Sequence, residues 1–171
     1  GGVYINEGGY DAYFASVVNN APGGAISIAH NPEGIYGTLY LGDILSNNGD
    51  IYLTSQGIIY TGFASGASIA AGTADIILSA NDYIINGPIT SSGGNISVGN
   101  SLENLPILLG DMDMGMEGYR IEISNGEFAN LNTTGLITVG SDTAGPMIVG
   151  DLDCGARNIA LMSADPMDWE Y

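Results

Sequence analysis

Lysine is absent from this chain of 171 residues, and arginine occurs only at Arg120 and Arg157, against 19 acidic residues. The formal net charge is −17. So few cations exclude nucleic acid as a partner, because that affinity comes from cations meeting phosphates. Anionic membrane surfaces are disfavoured on the same ground. Cys154 is the single cysteine, so no internal disulfide staples the fold. Negative neighbours such as Asp153 disfavour its thiolate and hence nucleophilic catalysis. His30 is the single histidine and has no second His or Cys nearby, which argues against a zinc site or a catalytic triad. Beside Asn31-Pro32 it reads as a turn residue. No apolar run approaches the length of a bilayer span. Long helices are also disfavoured, because Gly and Asn interrupt nearly every window and long helix-forming side chains are scarce.

What is present is glycine, 27 residues of it, within a chain that is 45% hydrophobic. That hydrophobic share is too high for a disordered polymer, and the glycines follow no Gly-X-Y period, so a collagen helix is excluded. Instead a short phrase recurs: a small or turn residue, then alternating large apolar residues. It reads Gly-Gly-Val-Tyr-Ile from Gly1, Gly-Gly-Ala-Ile-Ser-Ile from Gly23 and Gly-Asp-Ile-Tyr-Leu from Gly49. It returns as Ala-Asp-Ile-Ile-Leu from Ala74, Gly-Asn-Ile-Ser-Val from Gly94, Arg-Ile-Glu-Ile from Arg120 and Arg-Asn-Ile-Ala-Leu from Arg157. The first apolar anchors are Val3, Ile26, Ile51, Ile76, Ile96, Ile121 and Ile159. The steps between them are nearly even except for the last, from Ile121 to Ile159, which is close to two shorter steps.

Alternation with period two marks strands with one buried face, and recurrence over tens of residues marks stacked repeats. The expected fold is all-β: a parallel β-helix, or β-solenoid, of about seven to eight coils of roughly 20–25 residues, which the repeat favours over a β-sandwich of short strands. Such a rod is on the order of 35 Å long. It spans residues 1–164, with 165–171 as a short tail. Two coils read strand by strand as Asp50 to Thr54, Ile58 to Thr61 and Ala67 to Ala70, then Ala74 to Ser79, Tyr83 to Asn86 and Pro88 to Thr90. A second internal match runs without a gap: Pro106-Ile-Leu-Leu-Gly-Asp-Met-Asp-Met-Gly115 against Pro146-Met-Ile-Val-Gly-Asp-Leu-Asp-Cys-Gly155. With coils of about 20 residues, these segments are expected on one face with one coil between them.

The succession of phrases resembles the β-solenoid repeats of filamentous haemagglutinin-like bacterial exoproteins. The resemblance lies in Val-Tyr-Ile-Asn-Glu after Gly2, in the consecutive coils from Gly49 to Gly99, and in the longer module from Ile121 to Ser163. It implies a right-handed parallel β-helix, secretion through a partner pore in the outer membrane, and adhesive or scaffold work at the bacterial cell surface. Asn31-Pro32 loosely resembles the Asn-Pro motif of that family's secretion domain, but the surrounding pattern is incomplete and a plain turn is the preferred reading.

Four acids are the candidate metal ligands: Asp111, Asp113, Asp151 and Asp153. Asp-x-Asp sets two carboxylates on one side of an extended chain, and calcium takes several hard oxygens at once. The spacing is not that of an EF-hand, and solvated turn acids are the competing reading. Tyr52 and Tyr60, two of ten tyrosines, alternate outward and are candidate surface contacts for glycans or a neighbouring rod; strand-favouring, half-buried residues are the plain alternative. A pair of carboxylates serving as acid and base on a polysaccharide is a further reading. The scarcity of cations and aromatic groove residues disfavours it, so no enzyme activity is expected.

The expected role is an extracellular structural or adhesive rod, with a glycan-binding adhesin module as the alternative. Val3 to Ile5 opens a coil with no cap ahead of it. That predicts either continuation of a longer chain or a homopolymer stacked head to tail, whose charge calcium or salt would screen.

Overall fold

The computed structural model describes residues 1–32, 37–111 and 120–164. It is a parallel β-solenoid of about six turns, 3% helical. Its first sheet has seven strands in the order β1 (Val3–Glu7), β3 (Ile26–His30), β5 (Ile51–Ser55), β8 (Ile76–Ala80), β11 (Ile96–Asn100), β15 (Leu136–Gly140) and β17 (Asn158–Met162). Every pairing is parallel, and the register stacks Val3, Ile26, Ile51, Ile76, Ile96, Ile137 and Ile159 in one column. The interior members of that column, Ile26 to Ile137, are fully buried. Each buried isoleucine contributes roughly 1.5–3 kcal/mol of hydrophobic stabilisation.

A second sheet runs from β2 (Ala12–Asn19) and β4 (Thr38–Ser46), which pair along most of their length. These long strands serve two faces of the coil. Thr38 to Leu41 carries β6 (Ile58–Thr61) and then β9 (Asp82–Ile85). Ile44 and Leu45 carry β7 (Ile69–Ala70), then β10 (Ile89–Ser91) and β14 (Leu131–Thr133). A third sheet has the order β13 (Ile121–Ile123), β12 (Ile107–Leu109), β16 (Met147–Val149). It continues the face that ends at β9. β13 packs beside β9, and the Glu122 amide donates to the Asp82 carboxylate at 3.3 Å.

Three expectations change here. Seven stacked rungs enclose six intervals, so the turns number about six rather than seven to eight. Ile121 leaves the first sheet, and Ile137 takes its place above Ile96, which makes the coil between Ile96 and Ile137 about twice as long as the one before it. Pro106 and Pro146 lead into directly neighbouring strands, with Ile107 beside Met147 and no coil between. The cause is a chain path out of sequence order: β12 comes first, yet β13 lies between it and β9. The long coil spends its extra length on that additional rung and on the short helix that follows.

That helix, α1 (Asn125–Phe128), is the one departure from β structure among the described elements. Ser124 and Glu127 form a reciprocal capping box, in which each side chain accepts from the other's backbone amide. Phe128 is driven fully into the core. The other Glu127 oxygen accepts from the Ile85 amide at 3.2 Å, tying the helix to the preceding coil. Among the described residues no helix is long and apolar enough to cross a membrane.

The corners explain part of the glycine content. Two residues before the stacked isoleucines, Gly24, Gly49, Gly94 and Gly135 lie one above another, with Ala74 in the same column. A Cβ on Gly49 would overlap the Gly24 carbonyl, and one on Gly94 would overlap the Ala74 carbonyl. His30 is not a turn residue on the surface. It ends β3 and is completely buried, with Nδ1 3.1 Å from Ser55 Oγ and Nε2 3.1 Å from the Gly9 carbonyl. Because the Gly9 carbonyl can only accept, Nε2 carries the proton and Ser55 donates to Nδ1, while Ser55 Oγ itself accepts from the Gly57 amide at 3.0 Å.

Candidate functional site

The two Gly-Asp-x-Asp phrases meet at their leading acids. Asp111 and Asp151 form an isolated antiparallel bridge at the end of the third sheet. Asn125, the first residue of α1, clamps them. Its amide donates to Asp111 Oδ1 at 3.0 Å, and its Nδ2 donates to Asp111 Oδ2 at 3.2 Å and to the Asp151 carbonyl at 2.7 Å. Its Oδ1 accepts from the Asp153 amide at 2.8 Å. Asp153 Oδ1 in turn accepts from the Gly155 amide at 3.0 Å, a local turn. Both Asp111 oxygens are therefore already engaged by one asparagine. Asp113 lies outside the described residues. Among those described, no three His, Cys, Asp or Glu side chains gather in a way that would hold a metal ion.

Beside this clamp is a cleft of about 450 Å³, lined by Leu108, Gly110, Asp111, Glu122, Ser124 and Glu127 among others. Glu122 forms an ion pair with Arg120, and the Glu127 oxygens are spent on the capping box and on Ile85. Nearby Asp82 is the described carboxyl whose proton affinity departs most clearly from that of a free side chain. Burial raises its pKa, opposed by hydrogen bonds from the Tyr83 and Glu122 amides. Carboxylates engaged in this way hold local structure.

The tyrosines sort by face. Tyr52 stands on the outer side of the first sheet, 40% exposed, and its hydroxyl donates to Asp50 at 3.0 Å. That bond and the negative charge of Asp50 raise its pKa. Tyr60 is half-buried on the second sheet and accepts from Asn86 Nδ2 at 3.0 Å. Register places Tyr13, Tyr40 and Tyr60 in one column. Tyr13 and Tyr40 stack at 4.4 Å with 2° between planes, Tyr40 and Tyr60 lie 5.4 Å apart, and Phe63 meets the first two edge-on. Sequence reasoning misses this ladder, because Tyr13, Tyr40 and Tyr60 share no local motif and only register aligns them. Tyr40, stacked on Tyr13 and flanked by Tyr60, has little ring face left for a sugar.

Comparison with protein-family models, with curated proteins and with solved structures finds no match to this chain.

Proposed function

We propose that this chain is an extracellular structural or adhesive β-solenoid of the filamentous haemagglutinin-like kind, working at a bacterial cell surface without catalysing a reaction. In this reading it extends by coil-on-coil stacking, either onto further coils of its own chain or onto a second copy. The observation that carries the reading is the contrast between the inner rungs and the end rungs. Ile26, Ile28, Leu39 and Leu41 are fully buried, whereas Val3, Ile5, Phe14 and Val17 on the outermost rung are only half-buried. At the other end Ile159 and Leu161 are half-buried above the fully covered Ile137 and Val139. β1 has a strand neighbour on one side only among the described residues. An open parallel edge with an uncovered apolar row is a template for another coil. A head-to-tail contact of this kind does not close, so it propagates as a fibre.

Each subunit brings a charge of −17 to such a fibre, so assembly would require screening by salt or by a divalent cation such as calcium. Exposed Tyr4, Tyr10 and Tyr13, at 77%, 59% and 62%, favour an adhesive second reading in which glycans are bound at the first coil. Electron microscopy of the purified protein, with calcium and with a chelator, tests the proposal. Long rods are expected, and their loss on chelation would assign cation control to the acidic turns. Isolated short particles in both conditions would refute end-to-end assembly.

A further inference from the structure

We infer that the outer groove across β10 and β14 is a binding site for an acidic saccharide, a sugar ring bearing one carboxylate. The groove is shallow and open to solvent, offers about 390 Å³, and is lined by Thr90 and Ser92 on one rung, Asn132 and Thr134 on the next, and Ala156 and Arg157 at its lip. That volume falls within the range of small-ligand sites. No carboxylate lines it, in a molecule with 19 acids.

The cation at the lip is one of only two in the chain. Arg120 is paired with Glu122, whereas Arg157 has no carboxylate partner among the described residues. Its position is nonetheless held. Nη2 donates to the Ala129 carbonyl at 3.2 Å, and the guanidinium carbon lies 5.5 Å from the centre of the buried Phe128 ring. A guanidinium fixed from behind, with its remaining donors unclaimed, is suited to a carboxylate, which it can meet with two parallel hydrogen bonds.

The rest of the lining selects a polyhydroxylated ring over a simple anion. Thr90 and Asn132 are register partners with exposed side chains. The Thr90 hydroxyl has no partner among the described residues. Asn132 spends one N–H on the Asn130 carbonyl at 3.0 Å and keeps its carbonyl and second N–H. Ser92 donates to the Gly72 carbonyl at 2.9 Å and Thr134 to the Ser92 carbonyl at 2.9 Å, so both hydroxyl oxygens remain as acceptors. Donors and acceptors alternate across two rungs, as sugar hydroxyls require. One cation in a strongly negative molecule suits a single carboxylate and not a polyanion. The site does not depend on filament assembly, since a rod that never polymerises still carries it.

The test is an NMR titration of the ¹⁵N-labelled protein with D-glucuronate, run beside D-glucose and acetate. Saturable shifts are expected at residues 90–92 and 132–134 and at the Arg157 side chain with glucuronate, with markedly weaker binding of the other two. R157Q should weaken glucuronate binding about tenfold, the effect of losing one charge-assisted pair. T90V and N132A alter exposed side chains and should each weaken it severalfold, which decides the matter if R157Q fails to fold. Absence of saturable shifts, equal binding of acetate, or unchanged binding by the folded variants would overturn the site. None of these outcomes bears on whether rods form in electron micrographs.

Discussion

Truncating Ile51 should cost far more than truncating Ile5, although both are inward isoleucines of the same sheet. Ile51 is fully buried between Ile26 and Ile76, its direct partners below and above. Hydrogen-bonded ladders hold both neighbours at strand spacing, so the space left by Ile51→Ala has little freedom to collapse. The loss should fall in the upper part of the range for such changes, about 3.5–4.5 kcal/mol. Ile5 lies on the outermost rung, is only half-buried, and is covered on one side by Ile28. Ile5→Ala should cost about 1–2 kcal/mol. Urea unfolding followed by far-ultraviolet circular dichroism, at protein concentrations too low for assembly, measures both. Equal losses would refute a stack in which burial is graded from end to interior. The same pair reports on assembly. If copies stack end to end, Ile5 becomes an interior residue, and raising the protein concentration should bring its loss towards that of Ile51.

Tyr83→Phe should cost about 1 kcal/mol, because the fully buried ring loses its hydroxyl bond to the Gly99 carbonyl; a neutral result in denaturant titration would show that the carbonyl finds another donor. Asp82 has a folded-state pKa raised by burial. Its charged form therefore opposes folding at neutral pH, and that penalty disappears as pH falls through its folded pKa towards the ordinary carboxyl value. Asp82→Asn should thus be more stable than the parent at neutral pH, with the gap closing on acidification; a gap independent of pH would contradict the assignment. His30→Leu leaves the Gly9 carbonyl and the Ser55 hydroxyl without their shared partner and should cost about 1–3 kcal/mol, read by thermal or urea unfolding, whereas a stabilised variant would mean that the buried pair carries no penalty. Gly94→Ala should destabilise by about 1–3 kcal/mol, because the Ala74 carbonyl occupies the position of the new methyl; an unchanged unfolding midpoint would show that the corner opens as readily as it does for Ala74.

The candidate sites were only partly legible from residue order. The Gly-Asp-x-Asp phrases announce themselves by repetition, and the structure does set Asp111 beside Asp151. Asn125, which clamps them, carries no signal of that role, because its contacts to Asp111 and Asp153 come from segments 14 and 28 residues away. The cap of α1 was legible in principle: Ser124-Asn-Gly-Glu127 has the spacing of a capping box. The groove at Arg157 was not. Thr90 and Asn132 are distant in the chain, and only the register of β10 against β14 makes them neighbours.

The sequence by itself determined which residues point inward. Alternation within Ile51 to Leu53, Ile76 to Leu78 and Ile96 to Val98 reflects side chains that leave a strand on opposite faces. Because the anchors Val3, Ile26, Ile51, Ile76 and Ile96 recur at nearly even spacing, it also determined the stacking of the first five rungs. What alternation does not encode is the side of the coil on which a strand lies. Ile-Glu-Ile from Ile121 looks like any other inward pair, and only the tertiary structure assigned it to the third sheet, between β9 and β12, and left Ile137 to continue the first column. The physical reason is that so short a phrase specifies burial, whereas position around the coil depends on the length and path of the chain between phrases. The burial of His30 has the same origin. Nothing next to it in sequence satisfies its ring, and its partners Gly9 and Ser55 arrive from the coils on either side.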